Sequence, residues 1–245
     1  MAKERVVIEL EENDEIKLAH IARYEFAQKY VKDKIVIDVA CGSGYGSRIL
    51  KEGGAKNVVG IDNSPDAIEY AQEKCRGMDI KFHLDDAVNL TRYGKADIIV
   101  SFETIEHLKE PECFLQEVLG TMYHDGTFIV STPCREGGKL GATPQNKFHY
   151  QEWSLLEFER LLKSYFSNVE FFGQHFHFAK SWLPFSRTAL SIMSRLVYPR
   201  MVNFLYKLEV REFPKVMRFR LIPSFVLGVC WSPKSAAGKK SRGHL

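Results

Sequence analysis

The fold is decided by residues 35–47, Ile35-Val36-Ile37-Asp38-Val39-Ala40-Cys41-Gly42-Ser43-Gly44-Tyr45-Gly46-Ser47. The segment begins with apolar residues that run without polar alternation up to Asp38, as expected of a parallel strand covered on both faces. Gly42, Gly44 and Gly46 then form a turn in which a ligand can approach the backbone closely. A glycine-rich turn between a buried strand and a helix predicts a binding site for a nucleotide-like cofactor.

The charges around this turn decide between two kinds of cofactor. Dinucleotide-binding folds place a pyrophosphate on a G-x-G-x-x-G turn, whereas here position 47 is Ser and Asp38 precedes the glycines. A carboxylate at this place repels a pyrophosphate but suits the ammonium group of an amino acid. Asp62 follows the next apolar run and is placed to accept hydrogen bonds from two ribose hydroxyls. The two acids together predict S-adenosylmethionine and argue against a nicotinamide dinucleotide.

Four motifs in this order resemble those of the class I S-adenosylmethionine-dependent methyltransferases, over roughly residues 16–175. They are the glycine-rich turn, the acid Asp62, the segment Leu84-Asp85-Asp86-Ala87 and the strand and turn of residues 97–103. The resemblance implies that the third motif holds the adenine amino group. It also implies that the end of the fourth strand borders the methyl group that is transferred.

The cofactor contacts expected from these motifs include Tyr24, which lies on the helix before the first strand. This tyrosine either reaches across the cofactor cleft or packs the first helix. The complete set of expected contacts is Tyr24, Asp38, Cys41, Gly42, Gly44, Gly46, Asp62, Asn63, Asp86, Ala87 and Phe102.

Composition narrows the class of protein. A length of 245 residues fits one domain, which we place at residues 1–233 with an N-terminal helix at 14–31. Five cysteines without a CxxC pair favour reduced thiols and argue against a structural zinc site. The sequence shows no basic and apolar leader and no apolar run of about eighteen residues. We therefore expect a cytoplasmic protein, peripheral to a membrane surface at most, with a disordered basic tail at 234–245.

Alternating helices and strands predict an α/β fold, namely a doubly wound, Rossmann-like, seven-stranded and mostly parallel sheet. Strands are expected near residues 35–40, 57–62, 79–84, 96–102, 126–132, 169–173 and 222–231. Helices are expected near residues 15–30, 45–53, 65–76, 111–121 and 152–164. The ligand crevice should lie at the carboxyl ends of the strands.

Residues 178–220 interrupt this alternation with a basic segment. It carries nine basic and two acidic side chains, a net charge of +7, interleaved with aromatic and aliphatic residues. We predict a helical cap inserted before the last strand. Three roles are open for this cap. It captures an anionic acceptor, such as a phosphorylated, nucleotide-linked or lipid-linked glycan, or it contacts a membrane surface or RNA. Alternatively, it only packs on the core.

A second group of polar residues follows the fourth strand, in the segment Glu103-Thr104-Ile105-Glu106-His107. If this turn is helical, Glu103, Glu106 and His107 project from one side. His149, beyond the fifth strand, is near enough topologically to close over the same crevice. These four residues form a divalent metal site, or alternatively Glu106 and His107 pair locally and His149 donates to a backbone carbonyl.

The ExxEH pattern with a later histidine resembles two groups of methyltransferases, the small-RNA 3′-terminal 2′-O-methyltransferases and the ubiquinone-pathway O-methyltransferases. The resemblance implies that Glu103, Glu106, His107 and His149 bind Mg²⁺, Mn²⁺ or a similar ion. Two imidazoles suit Mn²⁺, Fe²⁺ or Zn²⁺ at least as well as Mg²⁺. Without a metal, either histidine would act as the general base.

The expected function is therefore O-methylation of a small molecule or a glycan, with S-adenosylmethionine as the methyl donor. The alternatives are methylation of an RNA ribose 2′-hydroxyl, metal-independent N-methylation, and cofactor binding without catalysis.

Overall fold

The computed structural model describes residues 15–135, 144, 146–178, 206–208 and 221–234. The helices are α1 Glu15–Ala27, α2 Tyr45–Glu52, α3 Pro65–Lys74, α4 Pro111–Thr121 and α5 Leu155–Tyr165. The strands are β1 Ile35–Val39, β2 Asn57–Asp62, β3 Ile80–Leu84, β4 Ala96–Phe102, β5 Met122–Pro133, β6 Phe166–Phe178, β7 Tyr206–Leu208 and β8 Leu221–Pro233. Short 3₁₀ helices span Gln28–Tyr30, Ala87–Tyr93 and Ile105–His107.

The strands form one sheet in the order β3-β2-β1-β4-β5-β8-β6-β7. The strands β1 to β5 pair in parallel with one another, whereas β8 runs antiparallel to both β5 and β6. This arrangement confirms the predicted doubly wound and mostly parallel sheet.

The short strand β7 corrects one expectation, because it lies within residues 178–220, where we predicted a helical cap. Its residues pair antiparallel with β6, and Phe171 is the register partner of Leu208. A sheet edge offers unpaired N–H and C=O groups, and even three residues of extended chain satisfy some of them. Most of the predicted cap and the tail at 235–245 lie outside the described residues, and so do the cap's expected anionic, membrane and RNA contacts.

The central parallel strands β1 and β4 are buried on both faces, as their apolar sequences predict. On β4, Ile99 packs into the core cluster that includes Phe114 of α4 and Phe158 of α5. Ile98 and Val100 point the other way, into the cluster beneath α1 and α2. Both faces of the sheet are therefore covered by helices.

The strand order reverses between β1 and β4, which are direct neighbours. Val39 near the end of β1 is the register partner of Ser101 near the end of β4. Ligands of doubly wound sheets bind in the crevice outside the carboxyl ends of the strands at such a reversal. The glycine-rich turn after β1 and the segment after β4 therefore face the same crevice.

No helix in the described part of the chain is long and apolar enough to cross a membrane.

Candidate active site

Asp38 lies near the end of β1 with no exposed surface. Its two carboxylate oxygens accept hydrogen bonds from the hydroxyls of Tyr24, at 3.0 Å, and Ser47, at 2.6 Å. Burial raises the pKa of Asp38 to about 7, although the two hydrogen bonds oppose this rise. The carboxylate thus ties α1 and α2 to the end of β1. Its predicted contact with the ammonium group of a cofactor stays a prediction.

The three glycines of the turn meet different requirements. Gly42 and Gly44 have φ angles of 54° and 79°, which favour glycine. A Cβ on Gly44 would lie 2.8 Å from the Cβ of Ala71, and a Cβ on Gly46 would lie 2.0 Å from Cζ of Tyr24. A Cβ on Gly42 would meet no heavy atom of the described residues within 4 Å. Gly42 therefore borders open space, whereas the other two glycines permit close packing.

Asp62 closes the glycine-rich turn from the end of β2. Its Oδ2 accepts a hydrogen bond from the Gly42 N–H at 2.9 Å, and its Oδ1 accepts one from the Ser64 N–H at 2.9 Å. Each carboxylate oxygen has a further acceptor position. The half-buried carboxylate can therefore also accept hydrogen bonds from the hydroxyls of a ribose.

Most side-chain hydrogen bonds in the turn after β3 are made by Asp85. Its neighbour Asp86 is the residue that the sequence predicts to contact the cofactor. Asp85 accepts hydrogen bonds from the Asn89 amide at 2.6 Å, the Tyr93 hydroxyl at 2.8 Å and the Asp86 N–H at 2.8 Å. These bonds lower the pKa of Asp85 to about 2. Asp86 is exposed, and its carboxylate accepts from the Val88 N–H at 3.2 Å, which caps the following 3₁₀ helix.

The other expected cofactor contacts differ in exposure. The side chains of Tyr24, Cys41 and Phe102 are buried, whereas Asn63 is exposed and Ala87 is half-buried. The Tyr24 ring packs edge-on against Phe102, with 4.9 Å between centroids. Tyr24 therefore packs α1 against the end of β4, and its predicted contact with the cofactor stays a prediction.

Glu106, His107 and His149 form a compact group beyond the carboxyl end of β4. One possible ligand atom from each residue lies within 4.8 Å of the other two. The 3₁₀ helix Ile105–His107 positions the first two side chains. The Tyr150 N–H donates to the Glu106 carbonyl oxygen at 2.8 Å and brings the segment that carries His149 against this helix. Three of the four predicted metal ligands thus lie together.

The hydrogen bonds of the two histidines indicate which nitrogen carries the proton. The Nδ1 of His107 lies 3.0 Å from the Phe148 carbonyl oxygen, and the Nδ1 of His149 lies 2.8 Å from Oε1 of Glu152. Both partners are acceptors, so each Nδ1 donates, and Nε2 is the ring nitrogen left to face other groups. The Asn146 amide nitrogen lies 3.2 Å from Nε2 of His149. Metal-binding histidines are commonly oriented in this way.

Glu106 is fully buried. Its Oε2 accepts a hydrogen bond from the Thr132 hydroxyl at 3.1 Å, but Oε1 has no hydrogen-bond partner among the described residues. Burial and the nearby Glu103 carboxylate raise the pKa of Glu106 well above its ordinary value. A buried oxygen without a hydrogen-bond partner is energetically unfavourable, so a bound cation or a proton would stabilise this atom.

Glu103, the fourth predicted metal ligand, does not join this group. Its Oε1 lies 3.0 Å from Nη1 of Arg23 and accepts a hydrogen bond from the Ser131 hydroxyl at 2.6 Å. A guanidinium group this close disfavours a divalent cation on the same carboxylate, because like charges repel. Glu103 is therefore paired with Arg23 and lies apart from the group of Glu106, His107 and His149.

Several polar residues around the site were not singled out from the sequence. They are Arg23, Ser131, Thr132, Asn146 and Glu152. Ser131 and Thr132 lie near the carboxyl end of the buried strand β5, and polar residues at such a strand end are a usable signal. The other three have no comparable signal, because their partners are distant in sequence or depend on the conformation of a loop.

Comparison with known proteins identifies the family of this chain. Residues 31–177 match the family described as "Methyltransferase domain". The chain belongs to this family. The match confirms the resemblance to class I S-adenosylmethionine-dependent methyltransferases.

Curated relatives are similar to this chain over about half of their length. This methyltransferase domain is 31% identical over 136 residues to a probable S-adenosylmethionine-dependent methyltransferase of Mycolicibacterium smegmatis. The match covers 55% of this chain and 52% of the relative. It is 30% identical over 126 residues to a ubiquinone biosynthesis O-methyltransferase of Chelativorans sp., covering 50% and 49% respectively. The chain thus spans about half the length of these relatives.

Solved structures share the fold of the methyltransferase domain at low sequence identity. A plantazolicin methyltransferase in complex with a substrate analogue and S-adenosylhomocysteine is 20% identical, with a TM-score of 0.54 and coverage of 91% of this chain and 87% of that chain. A methyltransferase of Archaeoglobus fulgidus is 17% identical, with a TM-score of 0.57 and coverage of 90% and 94%. These likenesses confirm the architecture.

Proposed function

We propose that this domain transfers a methyl group from S-adenosylmethionine to a hydroxyl group of a small molecule or glycan. The methyl donor is supported by the family match over residues 31–177, and the place of the cofactor by the open space beside Gly42, where a Cβ would meet no heavy atom of the described residues within 4 Å. This space lies beyond the carboxyl end of β1, where the strand order reverses between β1 and β4, and the acids Asp38 and Asp62 flank the turn that borders it.

The residues around this space fit the two ends of the cofactor. Asp38 can pair with the ammonium group of the methionine end, and Asp62 can accept the ribose hydroxyls. Leu84 and Val88 are 55% and 39% exposed at the carboxyl end of β3, next to Asp86. Large apolar side chains of this exposure suit the faces of an adenine ring, whose amino group would lie near the turn at residue 86.

The second group of residues fits a divalent cation. We propose that Glu106, His107 and His149 hold it, since the buried Oε1 of Glu106 has no partner among the described residues and the Nδ1 contacts of both imidazoles leave Nε2 to bind a cation. On His149 the cation would displace the Asn146 amide, which lies 3.2 Å from that nitrogen. A bound cation supplies Lewis acidity, which lowers the pKa of an acceptor hydroxyl. If the site holds no cation, the Nε2 of His107 can accept the acceptor's proton, because a neutral imidazole is basic near neutral pH.

The reaction places few demands on the protein. The acceptor oxygen forms a bond to the methyl carbon as the carbon–sulfur bond breaks, and that electron pair returns to sulfur. The acceptor loses its proton, which passes to a base and then to solvent. The residues need only orient the acceptor in line with the methyl group and assist this proton loss.

Calorimetry tests the cofactor assignment. We expect S-adenosylhomocysteine to bind the wild-type protein, and NAD⁺ to bind much more weakly. Asp62→Asn should weaken S-adenosylhomocysteine binding at least tenfold, because it removes one charged acceptor for the ribose. Asp79→Asn, at a position 74% exposed beside Lys51, is the matched control and should bind as the wild type does. Tight binding of NAD⁺ without binding of the adenosyl compound would contradict the proposal.

Electron paramagnetic resonance of Mn²⁺ tests the cation site. Binding of Mn²⁺ should quench the free-ion signal in the wild type but not in Glu106→Gln. The control Glu159→Gln alters an exposed pair with Lys163 and should bind Mn²⁺ normally. Labelled S-adenosylmethionine with fractionated cell extract, with and without EDTA, then reports the class of acceptor. Turnover that is unaffected by EDTA would remove the metal from the mechanism.

A further inference from the structure

Arg23 is an unusual feature of α1, because its charged side chain is almost completely buried. Its Nε donates to Oε1 of Gln174 at 2.8 Å, and its guanidinium lies 4.6 Å from the ring centroid of Phe225. Gln174 is itself fully buried, and its amide donates to the Ala19 carbonyl oxygen at 3.0 Å. These contacts hold the guanidinium group in place independently of its ion pair with Glu103.

Glu103 is held by this fixed cation in a costly backbone conformation. Its φ angle is +52°, a value uncommon for residues other than glycine. Oε1 takes both the Arg23 ion pair at 3.0 Å and the Ser131 hydrogen bond at 2.6 Å. Oε2 has no hydrogen-bond partner among the described residues, and the side chain keeps 15% exposure. Backbone strain and a buried charge persist where surrounding structure enforces them, often at functional sites.

The place of Glu103 in the cleft indicates what its carboxylate faces. It directly follows Phe102, whose ring packs against Tyr24, the hydrogen-bond partner of Asp38. Tyr24 also packs edge-on against the half-buried Tyr45, with 5.5 Å between ring centroids, so Glu103 follows a strand end that packs against the group around Asp38. If the methionine end of the cofactor binds near Asp38, its reactive sulfur centre lies towards the end of β4, where Glu103 is.

We propose that Glu103 is a catalytic residue that contacts the acceptor at the point of methyl transfer, and that Arg23 is the positioning residue that aims it. Glu103 accepts a hydrogen bond from the acceptor's O–H or N–H group and favours positive charge beside the transferred methyl. This assignment rests on the proposed function. It differs from the metal-ligand role first expected of Glu103.

The test uses sinefungin, a cofactor analogue that carries a C–NH₃⁺ group in place of the S–CH₃ group, so no acceptor is needed. Calorimetry compares its dissociation constant with that of S-adenosylhomocysteine, which is uncharged at sulfur. We expect the wild type to bind sinefungin tighter by roughly tenfold to a hundredfold, the range for a hydrogen bond between charged groups. Glu103→Gln should keep its affinity for S-adenosylhomocysteine and lose this preference. Asp62→Asn should weaken both ligands alike and keep the ratio.

The outcomes separate the two proposals. Failure of the wild type to bind S-adenosylhomocysteine overturns the proposed function. Binding without a preference for sinefungin, or a preference that survives in Glu103→Gln, overturns the role of Glu103 alone. Should Glu103→Gln fail to fold, Ser131→Ala decides, because it removes the 2.6 Å hydrogen bond that orients the carboxylate and the 3.5 Å hydrogen bond from Arg23 to the same hydroxyl. An unchanged preference in that variant would also overturn the role.

Discussion

Replacement of Gly42 by alanine should damage cofactor binding far more than it damages the fold. A Cβ at this position meets no heavy atom of the described residues within 4 Å, so it introduces no clash with them. The left-handed φ of 54° still makes alanine unfavourable by roughly 1–2 kcal/mol. For a chain of this size, that loss lowers the Tm by about 2–8 °C.

Gly77 provides a matched control for the backbone effect. It has a φ of 86°, and a Cβ there also meets nothing within 4 Å in the described part of the chain. It lies on the exposed turn between α3 and β3. Gly77→Ala should therefore lower the Tm by a similar amount without affecting the cofactor.

The difference between the two variants should appear in ligand affinity. If the cofactor lies against the bare backbone of Gly42, the added methyl group overpacks the contact at a cost of about 1–3 kcal/mol. This range corresponds to a roughly fivefold to hundredfold weaker binding of S-adenosylhomocysteine. Scanning fluorimetry measures the two Tm values, and calorimetry measures the two dissociation constants. Wild-type affinity in Gly42→Ala would refute the placement of the cofactor at this turn.

Three further predictions concern the same site. Gly46→Ala should lower the free energy of unfolding by about 1–3 kcal/mol in urea titrations, because its Cβ would lie 2.0 Å from the Tyr24 ring. If this clash is the cause, the loss of stability should be smaller when Tyr24 is also replaced by alanine. The pKa of Asp38 is about 7 in the folded protein, against an ordinary value of 3.8. Its contribution to stability is therefore present below about pH 4 and is lost as the pH rises towards and through about 7. The free energy of unfolding should fall by at most about 4 kcal/mol over this range. Asp38→Asn should flatten this pH dependence in urea titrations between pH 4 and 8, and an unchanged slope would contradict the assignment. Glu152→Gln should weaken Mn²⁺ binding about 10–100-fold, because the carboxylate orients His149; equal binding in a Mn²⁺ titration would rule out this orienting role.

The fold was largely predictable because local signals mark its elements. Uninterrupted apolar runs identify β1 and β4, and Ser64-Pro65 and Glu110-Pro111 mark the starts of α3 and α4. The extent of β6 and the existence of β7 were not predictable, since they depend on pairing between segments far apart in sequence. The strand β6 was expected at residues 169–173 but spans Phe166–Phe178, because β8 pairs along nearly its whole length.

The site was predictable only in part, for a similar reason. The spacing of Glu103, Glu106 and His107 suggested one helical face. The turn is instead a 3₁₀ helix that begins at Ile105, and the left-handed backbone of Glu103 directs its side chain to a different partner. That partner, Arg23, lies on a helix 80 positions earlier, and no local pattern reports such a contact.

The position of β8 has a consequence for biosynthesis. Its residues 221–233 lie between β5 and β6 in the sheet, where Val229 pairs with Ile129 and Gly228 with Phe171. A ribosome releases β5 and β6 well before it releases the strand that joins them, so both must wait with unpaired edges. A nascent chain that stalls before residue 221 would therefore expose unpaired backbone N–H and C=O groups along the edges of two strands. Such a chain is prone to aggregate and to bind chaperones.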